Sequence, residues 1–405
     1  MNRYANLLFR WYYSILRRCS PLCAILSLFG FLLFCAGISA MLVVLIGTSQ
    51  TMTAIATCNR NLSQTFYSTD VNPVSIAVAD FNGDNKIDIV VANQATENVG
   101  VLLNNGNHTF ATQVTYATPA GYSPRAVTTG DIDGDGTQDI VVANYDVQVT
   151  LVFLNGGNGV FFAQAPDSTD VRPYAVVAAD VNGDGQLDVI VANFGASNVG
   201  VLLNTGSGIF ASQVIYSAGS GPRSVALADV DGDGALDIVV ANYNSNNIGV
   251  LLNTGSDTFA AQVTYTTGAS PISVTTADVN GDSKPDIIVA NIGSSNVGVF
   301  INNGNGIFAA QVVYSTLTGS GTMSVTTADF NGDNKVDIIV ANNGFNNIGI
   351  LINNGYGTFA TQITYPVGPG PSSVVAADLN GDNLIDIFVT NSLSNSVSVL
   401  LAFCN

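Results

Sequence analysis

Residues 229–237 read DVDGDGALD, and this string occurs in seven variants along the 405-residue chain. The variants begin at Asp80, Asp131, Asp180, Asp229, Asp278, Asp329 and Asp378. Successive starts are separated by 51, 49, 49, 49, 51 and 49 residues. A period of this length indicates a tandem repeat whose units must stack, because one such unit has too little surface to enclose a core.

Each repeat contains four short runs with the composition of β-strands. A run such as IVVAN follows the acidic string, then come NVGVLLN and FATQVTY, and a run such as RSVALA leads into the next string. Short runs of this kind, separated by Gly, Asn and Ser, are typical of antiparallel sheet. Seven four-stranded units arranged radially predict an all-β, seven-bladed β-propeller. A linear solenoid is the alternative.

The two ends of the repeat region complement each other. The last copy ends NSVSVLLAFCN and lacks the FATQVTY run, whereas residues 61–68, NLSQTFYS, resemble that missing run. We therefore predict that the N-terminal strand completes the seventh blade and closes the ring. The same register places Cys58 and Cys404 in one turn, which predicts a disulfide in an oxidising compartment. Two free thiols are the alternative.

The first 57 residues differ from the rest of the chain, because they contain four Arg residues and no Asp or Glu. The segment 21–47 is uncharged and apolar, and about 20 such residues suffice to cross a bilayer. The Arg residues all precede it, so the positive-inside rule predicts a cytosolic N-terminus. We thus predict a cytosolic basic tail (1–20), a transmembrane signal-anchor helix (21–47), a linker (48–57) and an extracellular propeller (58–405). This organisation predicts a single-pass type II membrane protein; secretion after signal cleavage near residues 54–56 is the alternative.

Five alternate positions of each acidic string are candidate metal ligands. Position 1 is the Asp with which each string begins. Position 3 is Asn82, Asp133, Asn182, Asp231, Asn280, Asn331 or Asn380. Position 5 is Asp84, Asp135, Asp184, Asp233, Asp282, Asp333 or Asp382. Position 7, which would offer its backbone carbonyl, is Lys86, Thr137, Gln186, Ala235, Lys284, Lys335 or Leu384. Position 9 is Asp88, Asp139, Asp188, Asp237, Asp286, Asp337 or Asp386.

Oxygen ligands at alternate positions of a tight loop suit Ca²⁺, a hard cation that takes six to eight oxygens. The loops hold 23 of the 29 acidic residues, and Lys and Arg are too few to pair them all. Gly at position 4, and Gly or Asn at most of the sixth positions, predict left-handed backbone. We therefore predict up to seven bound Ca²⁺ ions. Mg²⁺ and a metal-free structural turn are the alternatives.

The seven strings, with Asn-x-Gly-x-Phe between blade strands, resemble FG-GAP/VCBS-type repeats, which form propellers similar to the head of integrin α subunits. The resemblance covers residues 61–404. It implies Ca²⁺ in the loop between the first two strands of each blade, and roles in adhesion and extracellular recognition. The chain departs from integrin α subunits in two ways: the combined Phe-Gly and Gly-Ala-Pro signature of integrin blades does not recur in the repeats, and no leg domain is recognised.

Composition excludes several functions. The net charge is −18 with only 11 Lys and Arg, which argues against a nucleic-acid partner because phosphate contacts need clustered cations. One His, His108, makes His-centred triads and His-based metal sites hard to build. We predict no catalytic residues. The sequons at Asn61 and Asn107 predict glycosylation.

A ligand surface is predicted on the face opposite the acidic strings. Asn recurs there five residues after the last Asp of each string, which suggests a capping hydrogen bond rather than recognition. Side chains that differ between copies are better candidates, because aromatic and Arg side chains are typical interface anchors. They are Tyr145, Phe194, Tyr243, Phe345, Arg125, Arg172 and Arg223.

The sequence thus predicts an extracellular, calcium-binding adhesion or recognition module with an unknown protein or glycan partner. The alternatives are a structural surface or matrix protein and, third, a Ca²⁺-dependent enzyme acting on polysaccharide.

Overall fold

A computed structural model describes residues 60–404 apart from Ser256. Residues 60–403 form one compact unit. The predicted basic tail, membrane helix and linker lie outside the described residues, as does Cys58. Within the described part, no helix is long and apolar enough to span a membrane.

The compact unit is a seven-bladed β-propeller, as predicted, and each blade is an antiparallel sheet of four strands in meander order. The first strands are Pro73–Ala79, Pro124–Gly130, Pro173–Ala179, Pro222–Ala228, Pro271–Ala277, Thr322–Ala328 and Pro371–Ala377. The second strands are Asp88–Asn93, Asp139–Asn144, Asp188–Asn193, Asp237–Asn242, Asp286–Asn291, Asp337–Asn342 and Asp386–Asn391. The third strands are Asn98–Leu102, Val149–Asn155, Asn198–Leu202, Asn247–Leu251, Asn296–Phe300, Asn347–Leu351 and Ser396–Cys404.

The fourth, outermost strands are less regular. In blades 1 and 3 to 6 they are Val114–Ala117, Val214–Ser217, Val263–Thr266, Val312–Ser315 and Ile363–Pro366. In blade 2 the edge is split into Phe161–Ala163 and Asp167–Ser168, which flank Pro166. Proline has no N–H to donate to the ladder, so an edge strand is interrupted there. Two small hairpins, Asn104–Gly106 with Thr109–Phe110 and Asn353–Gly355 with Thr358–Phe359, and a 3₁₀ turn, Asn343–Phe345, complete the described elements.

The ring closes through strands from the two ends of the chain. Arg60–Ser68 is the fourth strand of blade 7 and pairs with Ser396–Cys404. Gln64 donates a side-chain hydrogen bond to Ser398 Oγ over 3.0 Å. The first strand of each blade packs against those of its two neighbours, and the first strand of blade 7 packs against that of blade 1. The predicted closure is therefore confirmed, and the solenoid alternative is wrong.

The core consists of seven apolar clusters, one between each pair of neighbouring blades. Every residue of the second strands is buried, because both faces of this strand contact neighbouring blades. A Tyr–Phe contact repeats at the rim: Tyr67 of blade 7 meets Phe110 of blade 1 edge to face, with ring centroids 5.2 Å apart. The same pair recurs as Tyr216 and Phe259, at 5.3 Å. The repeated aromatic residues of the sequence thus hold blades together.

Candidate functional site

The seven acidic strings form the loops that join the first and second strands of the blades. The Asp at position 1 organises each loop. Asp80, for example, accepts the N–H of Gly83 at Oδ1 over 2.8 Å and that of Asn85 at Oδ2 over 2.7 Å. The equivalent bonds in the other six loops measure 2.6–2.9 Å.

These bonds require the backbone to curl around the carboxylate. Positions 4 and 6 have positive φ in all seven loops, as predicted. Ser283 occupies position 6 of its loop with φ +66°. Among residues with a Cβ, only Asn and Asp adopt this left-handed conformation with any frequency. The loop geometry therefore persists where the sequence departs from Gly and Asn.

The Asp at position 9 is fully buried in each loop and connects three segments. Asp88 accepts the N–H of Phe81 at Oδ2 over 2.9 Å and the N–H of Asn104, after the third strand, at Oδ1 over 2.7 Å. Burial raises the pKa of this carboxyl to about 6, and the nearby Asp84 and Asp80 carboxylates add to the rise. Burial does the same, to about 6, for Asp139, Asp188, Asp237, Asp286, Asp337 and Asp386.

Two loops bring three carboxylates together. Oxygen atoms of Asp131, Asp133 and Asp139 lie within 4.8 Å of one another. The same holds for Asp229, Asp231 and Asp237. These are the two loops with Asp at position 3, so their third carboxylate comes from a residue that is Asn in the other five. A set of converging carboxylate oxygens suits a hard divalent cation, and these two sites are able to hold a metal ion.

Three other loops each neutralise one carboxylate with a lysine, so ion pairing occurs but involves only three of the 23 loop acids. Lys86 Nζ lies 2.6 Å from Asp84 Oδ2, Lys335 Nζ lies 2.9 Å from Asp333 Oδ2, and Lys284 Nζ lies 3.4 Å from Asp282 Oδ2. The hydrogen bond from the Lys86 side chain holds the pKa of Asp84 below its ordinary value. The position-7 residue of these loops therefore contributes an ammonium group beside a candidate ligand, which the sequence pattern did not predict.

In six of the seven blades the recurrent Asn on the opposite face acts as the predicted loop cap, whereas Asn144 of blade 2 donates to Val142 O of its own strand. Asn93 Nδ2 donates to Asn98 Oδ1 over 2.8 Å, and four other blades repeat this bond. In blade 7, Asn391 donates to Ser396 and Ser398 instead. These Asn side chains are fully buried and not available for recognition.

The variable side chains of that face converge in blades 2 to 4. The guanidinium of Arg223 stacks on Tyr243, with Cζ 3.6 Å from the ring centroid, and also faces Phe194 at 5.1 Å. Arg172 lies over Tyr145 at 5.7 Å. Six of the seven predicted residues therefore belong to one aromatic and cationic cluster.

Tyr174 is the member of this cluster that the sequence analysis missed. It contacts Arg125 at 4.4 Å and Arg223 at 4.9 Å, and its ring centroid lies 6.0 Å from that of Tyr145. The sequence contained a signal for it, because Tyr174 follows Pro173 at the repeat position where Arg125 follows Pro124. Phe345, by contrast, is 43% exposed and lies apart from the cluster in the 3₁₀ turn of blade 6.

The repeats match a known family. A family model described as "FG-GAP-like repeat" matches six overlapping segments: 80–142, 131–191, 180–240, 229–289, 278–340 and 329–389. Together these span 80–389, which is more than half of the chain. The chain belongs to the FG-GAP-like repeat family. This confirms the resemblance inferred from the acidic strings.

Among solved structures, virginiamycin B lyase from Staphylococcus aureus is 14% identical with a TM-score of 0.60, and the match covers 84% of this chain and 99% of that one. A lectin from Agrocybe aegerita, described as recognising non-reducing terminal N-acetylglucosamine, is 21% identical with a TM-score of 0.55 over 76% and 91% of the two chains. BBS1N, in a complex with ARL6DN, is 12% identical with a TM-score of 0.58 over 83% and 94%. Such identities show a shared fold alone. No curated protein matches the chain.

The remaining predicted sites of this FG-GAP propeller lie at its edge. Asn107 is exposed in the turn before Thr109–Phe110, and Asn61 is half-buried in the closing strand. Cys404 ends the third strand of blade 7 and is disulfide-bonded. Its partner lies outside the described residues, so the pairing with Cys58 stays a prediction, as does glycosylation.

Proposed function

We propose that this FG-GAP propeller is an extracellular, calcium-stabilised recognition module, held at the cell surface by its N-terminal apolar segment. The observation that supports it most directly is the convergence of Asp131, Asp133 and Asp139 in one loop, with Asp229, Asp231 and Asp237 in another. Within the described residues, ion pairs with Lys, Arg or His involve only the loops of Lys86, Lys284 and Lys335. A divalent cation would balance the carboxylates of the two clusters, which contain no lysine.

Calcium suits these loops better than a softer metal, because all candidate ligands are oxygens. In the loop of blade 2, Asp131, Asp133, Asp135 and Asp139 would supply carboxylates, and Thr137 its backbone carbonyl. The bound ion would supply charge balance and a crosslink between positions of one loop. A ligand that binds only the folded state raises stability by mass action.

The test of this part is thermal unfolding of the full-length protein in detergent, with 2 mM CaCl₂, with 2 mM MgCl₂ and with excess EGTA. We expect the highest midpoint in Ca²⁺ and a fall of several degrees in EGTA. Isothermal titration of the metal-free protein then gives the number of ions bound. Identical midpoints in all three buffers would rule out calcium stabilisation.

The recognition part of the proposal is supported by the aromatic and arginine cluster formed by Tyr145, Tyr174, Phe194, Tyr243, Arg125, Arg172 and Arg223. Aromatic and Arg side chains carry most of the energy at protein interfaces. The same fold serves as a lectin in the Agrocybe aegerita protein. We propose a protein or glycan partner and no catalytic activity, since a shared fold with a lyase does not transfer its chemistry.

A glycan and protein array probed with the labelled protein, in Ca²⁺ and in EGTA, tests recognition. Specific, saturable binding supports it, whereas an array without ligands favours a structural surface or matrix protein. The surface location has its own test. Protease treatment of intact cells should release the propeller, and endoglycosidase should shift its mass if Asn61 or Asn107 is modified.

A further inference from the structure

All seven first strands contain the same irregularity. The pairing with the second strand shifts between their first and third residues, as between Pro124 and Ala126. The residue between them is therefore released from the ladder, and a bulge of this kind redirects a side chain. The seven released residues all line one cavity of about 140 Å³, where the first strands converge at the centre of the ring.

The fold thus presents a ring of seven side chains, one from each blade, and their chemistry is divided. Blades 2, 3 and 4 contribute Arg125, Tyr174 and Arg223. Blades 5 and 6 contribute Ile272 and Met323. Ser372 and Val74, of blades 7 and 1, complete the ring. One side of the ring is cationic and aromatic, and three of the other four side chains are apolar. Serines next to the released positions also line the cavity: Ser75, Ser224, Ser273, Ser324 and Ser373.

The two guanidinium groups have no acidic partner. Among the described residues, the ion pairs are those of the three loop lysines, and neither Arg125 nor Arg223 takes part in one. Arg125 Nη2 donates to Tyr174 Oη. Arg223 Nε is buried without a hydrogen-bond partner. Most acids of the chain lie in the loops at the other end of the first strands, so the cations are concentrated where carboxylates are scarce.

The aromatic rings keep these cations in place. Arg223 is enclosed by Tyr243, Phe194 and Tyr174, at 3.6, 5.1 and 4.9 Å from their ring centroids. Cation–π contacts hold a guanidinium plane but use none of its N–H donors. A guanidinium group with free N–H donors matches the planar geometry of a carboxylate, and two such groups line this cavity.

We propose that this cavity at the centre of the ring, which we call the channel mouth, binds a small organic carboxylate. Its carboxylate contacts Arg125 and Arg223, and its apolar portion contacts Ile272 and Met323. The volume is well below the roughly 300–1,000 Å³ of pockets that enclose drug-sized ligands, so the site accepts a small acid or the carboxylate-bearing end of a larger ligand. The inference deepens the recognition part of the proposed function and does not depend on metal binding.

The test uses benzoate as the probe and benzamide as its neutral counterpart, with the full-length protein and ligand-observed NMR titration. Benzoate should bind, and benzamide should bind at least about tenfold more weakly, because each hydrogen bond to a charged group contributes about 1.5–3 kcal/mol. Arg223→Gln and Arg125→Gln should each weaken benzoate binding by about tenfold or more on the same basis.

Lys284→Gln is the matched control. It also removes one positive charge, but Lys284 lies in an acidic loop at the other end of the first strands and does not line the cavity, so benzoate affinity should change less than about twofold. Met323→Glu is a second variant that leaves both arginines in place, and its added carboxylate should repel the ligand. It keeps the test usable if either arginine variant fails to fold, which circular dichroism will show.

Equal affinity for benzoate and benzamide, or benzoate binding that survives both arginine substitutions, would overturn the proposal. Absence of benzoate binding together with an array ligand that is unaffected by Arg223→Gln would overturn the channel-mouth site while leaving the recognition function standing. Charge-dependent benzoate binding without any array ligand would support the site and count against recognition of the arrayed classes.

Discussion

Asn204 donates a hydrogen bond from its side-chain amide to the backbone carbonyl of Ile132 over 2.8 Å, although the two residues are 72 positions apart. Asn204 lies after the third strand of blade 3, and Ile132 lies in the acidic loop of blade 2. The same amide donates to Leu187 of its own loop over 3.1 Å, and the Asn204 backbone N–H donates to Asp188. Neighbouring acidic loops are thus joined to each other, and five of the blade junctions use the equivalent Asn.

Asn204→Ala should lower the free energy of unfolding by about 1–3 kcal/mol, because buried carbonyls lose their donor. Ser212→Ala, an exposed change in the same blade, is the control and should have no measurable effect. Chemical denaturation followed by fluorescence measures both. A loss below about 0.5 kcal/mol for Asn204→Ala would mean that the loop junction does not contribute to stability.

The seven buried Asp residues at position 9 predict an unusual pH dependence for the metal-free protein. Their pKa values, about 6 in the fold, lie above the 3.8 of an unperturbed Asp, because burial disfavours the charged form. The folded state therefore binds more protons than the unfolded state between these values. The stability due to protonation is complete below pH 3.8 and is lost as the pH rises through 6.

In EGTA, the thermal midpoint should thus decrease as the pH is raised from 5 to 7.5. With Ca²⁺ the trend should reverse, because protons compete with the metal for the same carboxylates. Carbon-detected NMR of the Asp carboxyl groups offers a direct check, since seven of them should titrate near pH 6. Titration of all Asp carboxyls near pH 4 would contradict the prediction.

Asp231→Asn should convert the loop of blade 4 to the composition of the five loops with Asn at position 3. Loss of one carboxylate from the cluster of Asp229, Asp231 and Asp237 should weaken Ca²⁺ binding there by about tenfold, which corresponds to about 1.4 kcal/mol. Asp257→Asn removes the same charge from an exposed position of blade 4 outside the loop and should leave the affinity unchanged. Calorimetric titration measures the tightest sites, and an unaltered isotherm for Asp231→Asn would show that position 3 does not hold the ion.

Lys86 and Gln186 occupy the same loop position and allow a reciprocal test. Lys86→Gln removes the ammonium that lies 2.6 Å from Asp84, so it should strengthen Ca²⁺ binding in blade 1 and raise the Asp84 pKa towards its ordinary value. Gln186→Lys should weaken binding in blade 3. Stability without metal should change by less than about 1 kcal/mol in either variant, as is usual for exposed ion pairs. Terbium luminescence titration measures the ion affinity of both variants. Affinity changes of the same sign in Lys86→Gln and Gln186→Lys would refute the idea that the lysine ammonium competes with the bound ion.

Much of the fold was accessible from the sequence because the repeat is short and strongly patterned. The seven strings, the composition of the runs between them and the incomplete last copy sufficed to predict seven four-stranded blades and closure by residues 61–68. The left-handed positions were also correct, since only Gly and Asn adopt that backbone readily. The split edge strand of blade 2 was not predicted, although Pro166 carried its signal.

The site was only partly accessible. The sequence placed Asp139 in its loop but did not show that the same carboxylate is fully buried and receives backbone N–H groups from Ile132 and Asn155. Nor did it show that Lys86 reaches back to Asp84. These are contacts of side chains over ångström distances, whereas a sequence pattern reports only residue type and spacing.

The structure of each blade follows from local sequence, because alternating apolar residues, turn residues and acidic loops act within about 50 consecutive residues. The set of side chains at the centre of the ring follows from the assembled fold instead. Arg125, Tyr174 and Arg223 follow one another at intervals of 49 residues and have no local relationship. They become neighbours because ring closure brings the same bulged position of every first strand to one point.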